Sequence, residues 1–341
     1  MLKKILFTHD DLDGAGSRVI FELAQTGLVK GTDYDVLNCS NTGLDKSVLN
    51  SINKEDYIGE DTHIYFADIT PSNPVALELV KRYGDQNVFI FDHHPTAFPV
   101  TSVIPGAIII PENPLGKMES GTSLLYHHLC ELGLEPEFIN DDWSCLFVSG
   151  NNNSRLLSEF VDTIRSYDTY EFKETGNIMA KKMQILYSLL GMDRFCNRYV
   201  KKFTDGNSED LISEVDAEFV NSKMEFEQKV IDNLSTDDIY PIELMGYRAC
   251  LMIKPVYANI SEVAYQFLKK NPQFDIFVSF SFVRNGEFSF RTLRDDINLG
   301  IDIAKPIGGG GHPKAAGSPL PEWLRDNFIN HLMFHVNRVN N

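Results

Sequence analysis

Four short apolar runs alternate with helical patterns over the first hundred residues, and this alternation leaves the chain few possible folds. "KKILFTH" (3–9), "DYDVLNCS" (33–40), "HIYFADI" (63–69) and "NVFIFDHH" (87–94) have the length and composition of strands. Helical patterns lie between and after them, near "GSRVIFELAQTG", "PVALELVKRYG" and "SLLYHHLCEL". Strands alternating with helices predict right-handed crossovers on a parallel sheet covered by helices on both faces. Residues 141–200 read as mainly helical, with loop signals at "GNNNSR" and "GNI". A charged helical stretch from about 205 to 236 is either a connector or a surface helix of a second domain. β signals return in "YRACLMI", "FDIFVSFSF" and "EFSFRTL", with the Asn-Gly of "RNGE" predicting a hairpin, and the chain closes on a glycine-rich loop and an amphipathic helix. The expected division is a domain over 1–200, a connector over 201–238 and a smaller α/β domain over 239–341.

The strands end on acids and imidazoles. In an extended chain alternate residues share a face, so "HDDLD" carried on from the first strand puts His9, Asp11 and Asp13 on one side. Gly14 and Gly16 then let the backbone turn closely into the next helix. Asp68 closes the third run, and Asp92, His93 and His94 close the fourth. Ligands of open parallel sheets bind at the carboxyl ends of the strands. Carboxylates gathered there repel one another unless a cation is present, and carboxylates with imidazoles suit Mn²⁺ or a similar ion.

Composition narrows the function classes. The chain has 341 residues, and 31 basic against 48 acidic residues give a formal charge of −17. That charge opposes coating of long nucleic acid, which needs many cationic contacts, but permits a small phosphorylated ligand. No apolar run approaches the length of a membrane span, the first residues do not read as a secretory signal, and the five cysteines form no CxxC pair. A soluble protein of a reducing cytoplasm is expected.

The Asp-His-His triplet at 92–94, the upstream HxDxDG and the strand-end Asp68 resemble the DHH phosphoesterase superfamily. "GGGGHPKAAG" at 308–317 is similar to the GGGHxxAAG loop of the DHHA1 domain that accompanies it. The close His9–Asp11 spacing resembles the oligoribonuclease branch often called nanoRNase B. The resemblance implies two metal ions, expected as Mn²⁺ with Mg²⁺ or Co²⁺ as substitutes. His9 and Asp11 are implied for one ion, Asp13 and His93 for the other, and Asp68 as the bridge. A further Asp is implied downstream, with Asp168 of "IRSYDTYEF" as the best match, Asp162 as its rival, and Asp141 and Asp142 behind them. Asp92 is read as orienting His93 or as an Asx turn, and His94 as a hydrogen-bond donor to phosphate or the acid for the leaving oxygen.

In the second domain Arg291 is the implied substrate arginine, followed by Thr292 where a serine is common. Gly309, Gly310 and Gly311 allow close approach and an anion nest of backbone N–H groups, and His312 ends that loop. His127, His128, His331 and His335 read as ordinary helix faces. The expected activity is two-metal hydrolysis of short oligonucleotides to mononucleotides, by a protein that can pair as a homodimer. The alternatives are cyclic nucleotides or dinucleotides, 3′,5′-bisphosphate nucleotides, or an inactive nucleotide-binding regulator.

Overall fold

The structure is a computed structural model; it describes residues 3–25, 27–53, 62–134, 152–206, 210–234, 239–252, 259–281 and 286–321. The expectations for Asp141, Asp142, Arg284 and Asn285 of the "RNGE" turn, the final helix, His331 and His335 lie outside these residues. The chain divides into two compact units, 1–221 and 222–341.

The first unit carries a five-stranded, all-parallel sheet in the order β2-β1-β3-β4-β5. Its strands are β1 (Lys3–His9), β2 (Tyr34–Cys39), β3 (Thr62–Ala67), β4 (Val88–Asp92) and β5 (Ile108–Ile109). Helices α1 (Leu12–Leu23), α2 (Leu44–Ile52), α3 (Asn73–Tyr83) and α4 (Gly121–Leu134) follow their strands. Strand alternation decides which helices each face receives. Ile5, Phe7, Ile64, Phe66, Val88 and Ile90 point to one side and bury against Leu44, Val48 and Ile52 of α2 and Val75, Ala76 and Leu79 of α3. On the other side Tyr65 stacks on Phe89 at 4.8 Å, Phe21 of α1 meets Tyr65 at 5.3 Å, and His128 of α4 meets Phe91 at 4.9 Å. His128 is therefore a packing residue, as its apolar neighbours predict.

Further helices among the described residues of this unit are α5 (Asn152–Asp168), α6 (Glu171–Thr175), α7 (Ile178–Leu190) and α8 (Met192–Asp205). Phe160, Phe195 and Tyr199 form their buried aromatic contact, with Tyr199 4.7 Å from each of the other two. Helix α5 begins at Asn152, inside the stretch expected as loop.

Helix α9 (Glu214–Asp232) spans the division between the units. The second unit has a mixed sheet in the order β10-β11-β9-β8-β7-β6. It comprises β6 (Ile239–Leu244), β7 (Tyr247–Met252), β8 (Ile276–Ser281), β9 (Glu287–Arg291), β10 (Gly310–Gly311) and β11 (Ala315–Pro319). Only β7 and β8 run parallel, as the intervening helix α10 (Ile260–Lys270) requires. Phe267 and Leu268 of α10 cover Cys250 and Phe277 on one face, and a π-helix at Leu299–Ala304 covers Val278 and Phe290 on the other.

Candidate functional site

His9, Asp11, Asp13, Asp68, His93 and Asp168 sit at or just beyond the ends of β1, β3 and β4, or at the end of α5. The first strand does not run on to Asp13. It ends at His9; Asp11 is extended (φ −143, ψ −166) and caps α1, its Oδ1 accepting from the Gly14 N–H at 2.9 Å. Asp13 therefore projects from the first helical turn, because an acidic side chain at this spacing satisfies a helix start better than it continues a strand. Gly14 is required for contact: a Cβ there would lie 2.0 Å from the His9 carbonyl oxygen. Thr8 fastens the same junction, its hydroxyl donating to the carbonyls of Gly14 and Ala67.

Two groups of possible ligands form from residues of the first unit. His9 Nδ1 is 2.6 Å from Asp11 Oδ2 and 3.8 Å from Asp68 Oδ2. His93 Nε2 is 3.4 Å from Asp68 Oδ1 and 3.2 Å from Asp168 Oδ2. His9, Asp11 and Asp68 can share one cation, and Asp13, His93 and Asp168 another. Asp68 lies between the sets. Its backbone is left-handed (φ 62), uncommon for a residue with a side chain, and its N–H donates to the Phe91 carbonyl at 2.9 Å. Asp162 is not in either group; it pairs with Lys117 at 2.6 Å and with Arg165.

Asp13 is gripped by the start of α4. Its carboxylate accepts from the Gly121 N–H at 2.6 Å and the Thr122 N–H at 3.1 Å, and the Thr122 hydroxyl donates to its carbonyl. Helix N-termini favour anions, so this arrangement fixes the Asp13 carboxylate in place at the start of α4. A Cβ at Gly121 would lie 2.4 Å from the Asp68 nitrogen, so glycine is what lets α4 approach so closely. Gly121 and Thr122 are absent from the sequence reading. Their signal was "ESGTSLL", small polar residues opening a helical run, but nothing in it indicates Asp13, 108 residues away.

Asp92 holds His94. Its Oδ1 accepts from the His94 backbone N–H at 2.9 Å and lies 2.7 Å from His94 Nδ1, while Oδ2 accepts from the Thr70 hydroxyl at 2.6 Å. The Asx turn expected as the alternative is therefore present, and it also orients a ring. Burial disfavours a charged His94, but the hydrogen bond and charge of Asp92 outweigh it and raise its pKa to about 9.

The donor set suits divalent cations. Buried Asp68 Oδ2 and Asp168 Oδ2 make no hydrogen bond, an arrangement that costs free energy unless an ion is bound. Burial, followed by the surrounding carboxylates, holds both acids well above the usual carboxylate range. His9 also has a raised pKa: burial opposes its charge, but Asp11 outweighs burial. His93 is lowered by burial and then by His94.

In the second unit Arg291 ends β9 and donates from Nε to the Ser261 hydroxyl at 2.9 Å and from an NH group to the Phe290 carbonyl at 2.8 Å. Thr292 is buried and turned inward, donating to the Asp275 carbonyl at 2.7 Å. The glycine run is not the open nest expected. Gly310 and Gly311 pair with Gly317 and Ala316, and the N–H groups of Gly308, Gly309 and His312 all donate within the chain. Two of its glycines are needed for close packing: a Cβ at Gly309 would lie 2.1 Å from the Gly317 carbonyl oxygen, and one at Gly311, where φ is 134, would lie 2.7 Å from the Ala315 carbonyl oxygen. Lys314 pairs with Asp295 at 2.6 Å.

No family model matches the chain. It is 25% identical over 326 residues to oligoribonuclease NrnB of Bacillus subtilis (strain 168), covering 95% of this chain and 74% of that protein. Among solved structures it is similar to exonuclease RecJ bound to manganese, with TM-score 0.50 and 16% identity, covering 98% of this chain and 90% of that one. It is also similar to the pGpG-specific phosphodiesterase PggH from Vibrio cholerae, with TM-score 0.49 and 14% identity over 98% and 99% of the two chains.

Proposed function

We propose that this chain, a nanoRNase-like member of the DHH/DHHA1 superfamily, is a Mn²⁺-dependent phosphodiesterase that hydrolyses short oligonucleotides to mononucleotides. The observation that carries the reading is the convergence of His9, Asp11, Asp13, Asp68, His93 and Asp168, with two buried carboxylate oxygens making no hydrogen bond. Kinship with an oligoribonuclease supports the substrate class.

His9, Asp11 and Asp68 would hold one ion, and Asp13, His93 and Asp168 the other. Divalent cations in such a site supply Lewis-acid polarisation of a phosphoryl group and activation of water. The chain's own residues supply the rest. Helix α4 fixes Asp13 through Gly121 and Thr122. Asp92, steadied by Thr70, holds His94 through Nδ1, so its other nitrogen is free of that bond and placed to donate to a phosphoryl or leaving oxygen when the ring is protonated. Arg291 can bind a phosphate, while Gly309, Gly310 and Gly311 would form a ledge without side chains for a nucleotide, with the His312 imidazole at its end.

The test is a panel of di- to pentanucleotides, cyclic mono- and dinucleotides and 3′,5′-bisphosphate nucleotides, each with Mn²⁺, Mg²⁺ or Co²⁺. Mononucleotide release from the short linear substrates is expected. Asp13→Ala and His93→Ala should each lower kcat on the order of a thousandfold, the scale of lost metal assistance. Preference for a cyclic or bisphosphate substrate would reassign the substrate, and unchanged turnover in both variants would move catalysis elsewhere.

A further inference from the structure

Directly after Asp168 the chain makes a turn whose side chains the metal cluster does not use. Tyr170 is held at φ 62, ψ 4, a left-handed conformation that glycine and asparagine accept and a bulky aromatic residue resists. The turn is closed by backbone bonds from Thr169 to Arg165, Tyr170 to Tyr167 and Lys173 to Tyr170. Buried Arg165 anchors it from below, donating to the Met118 carbonyl at 2.8 Å and pairing with Glu171. On this support stand three half-buried rings. Tyr167 stacks on Phe172 at 5.0 Å with 19° between planes, and Tyr170 lies 6.4 Å from Phe172. Lys173 Nζ is 5.3 Å from the Tyr170 ring and 5.8 Å from that of Phe172.

Tyr170 is only two residues from Asp168, so their Cα atoms are at most about 7 Å apart. A tyrosine kept where the backbone favours Gly or Asn indicates that its ring is used, since strain of this kind gathers at functional sites. Aromatic rings beside a cation are what single-stranded nucleic acid needs: a face for a base and a charge for a phosphate.

We propose that Tyr170, backed by Phe172 and Lys173, forms a platform on which one nucleobase of the substrate stacks beside the bond to be cleaved. This rests on the reading of the protein as an oligonucleotide phosphodiesterase. The platform gives base contact without base identity, because every base has a π-face.

Steady-state kinetics with Mn²⁺ test it, using a dinucleotide and its two analogues that each lack one base. For wild-type protein, removing the stacked base should raise KM roughly 5- to 150-fold, the range measured for loss of one stacking contact, with kcat little changed. Tyr170→Asn should show the same rise on the intact dinucleotide and no further rise on the abasic analogue. Tyr170→Phe should recover the wild-type pattern. Asparagine suits the left-handed backbone, so Tyr170→Asn should melt at or above the wild-type temperature and separate lost stacking from lost folding. If Tyr170→Asn keeps the wild-type KM and base discrimination, the platform is refuted while the function stands. If wild-type protein cleaves no dinucleotide, the functional reading fails and the platform with it.

Discussion

Asp68 is a buried carboxylate set among other carboxylates. Burial, followed by the charges of Asp11, Asp13, Asp168 and Asp92, raises its pKa well above the ordinary value. In the unfolded chain the same group ionises near an ordinary pKa of about 3.9. Folding therefore takes up a proton between those two values, and the cost to stability is absent below about pH 4 and grows as pH rises. Asp68→Asn is expected to raise the Tm of chelator-treated protein by a few degrees at neutral pH. The gain should vanish as pH falls to about 4, and Mn²⁺-dependent turnover should be abolished. Melts across that interval check the prediction; no gain at neutral pH would contradict it. Asp68 and His93 could be found in the sequence because each directly follows an apolar strand. The orientation of Asp92 toward His94 could not, since both adjacent imidazoles lie within reach of a strand-end carboxylate, and the backbone turn decides between them.

At the scale of elements, the junction of β1 with α1 sets the distance between the two ligand groups. His9 belongs to the strand, Asp11 to the cap and Asp13 to the helix, so any change in how α1 meets β1 displaces all three. Gly14→Ala should do this, because the new methyl group would lie 2.0 Å from the His9 carbonyl oxygen, which the backbone can relieve only by moving. A loss of about 1–3 kcal/mol is expected, with a larger proportional loss of Mn²⁺ affinity. Denaturant melts and metal titration on one preparation measure both, and a stable variant with normal affinity would refute the account. The strand–helix alternation of the first unit was legible because each run carries its own period and stop. The start of α1 was misplaced by the assumption that "HDDLD" stays extended, a choice that the Asp11 cap reverses. The glycine run of the second unit was legible as a place of close approach, but its pairing with β11 depends on residues that fold back onto it.

For the whole molecule, charge is the feature that bears on substrate length. A formal charge of −17 repels a polyanion all along its length, whereas a dinucleotide meets mainly the local cationic groups. Raising ionic strength from about 0.01 to about 0.15 M shortens the Debye length from about 30 to about 8 Å. The preference in kcat/KM for a dinucleotide over a longer oligonucleotide should accordingly shrink several-fold over that range, and a salt-independent ratio would exclude charge as its cause. Composition made this legible, whereas the grip of α4 on Asp13 joins residues 108 positions apart and needed the folded chain. That grip makes the candidate cage lopsided. Asp13 has two amide donors of its own, whereas the unbonded oxygens of Asp68 and Asp168 have none. An arriving cation would meet one berth already braced by the protein and would itself supply the partner that the other lacks.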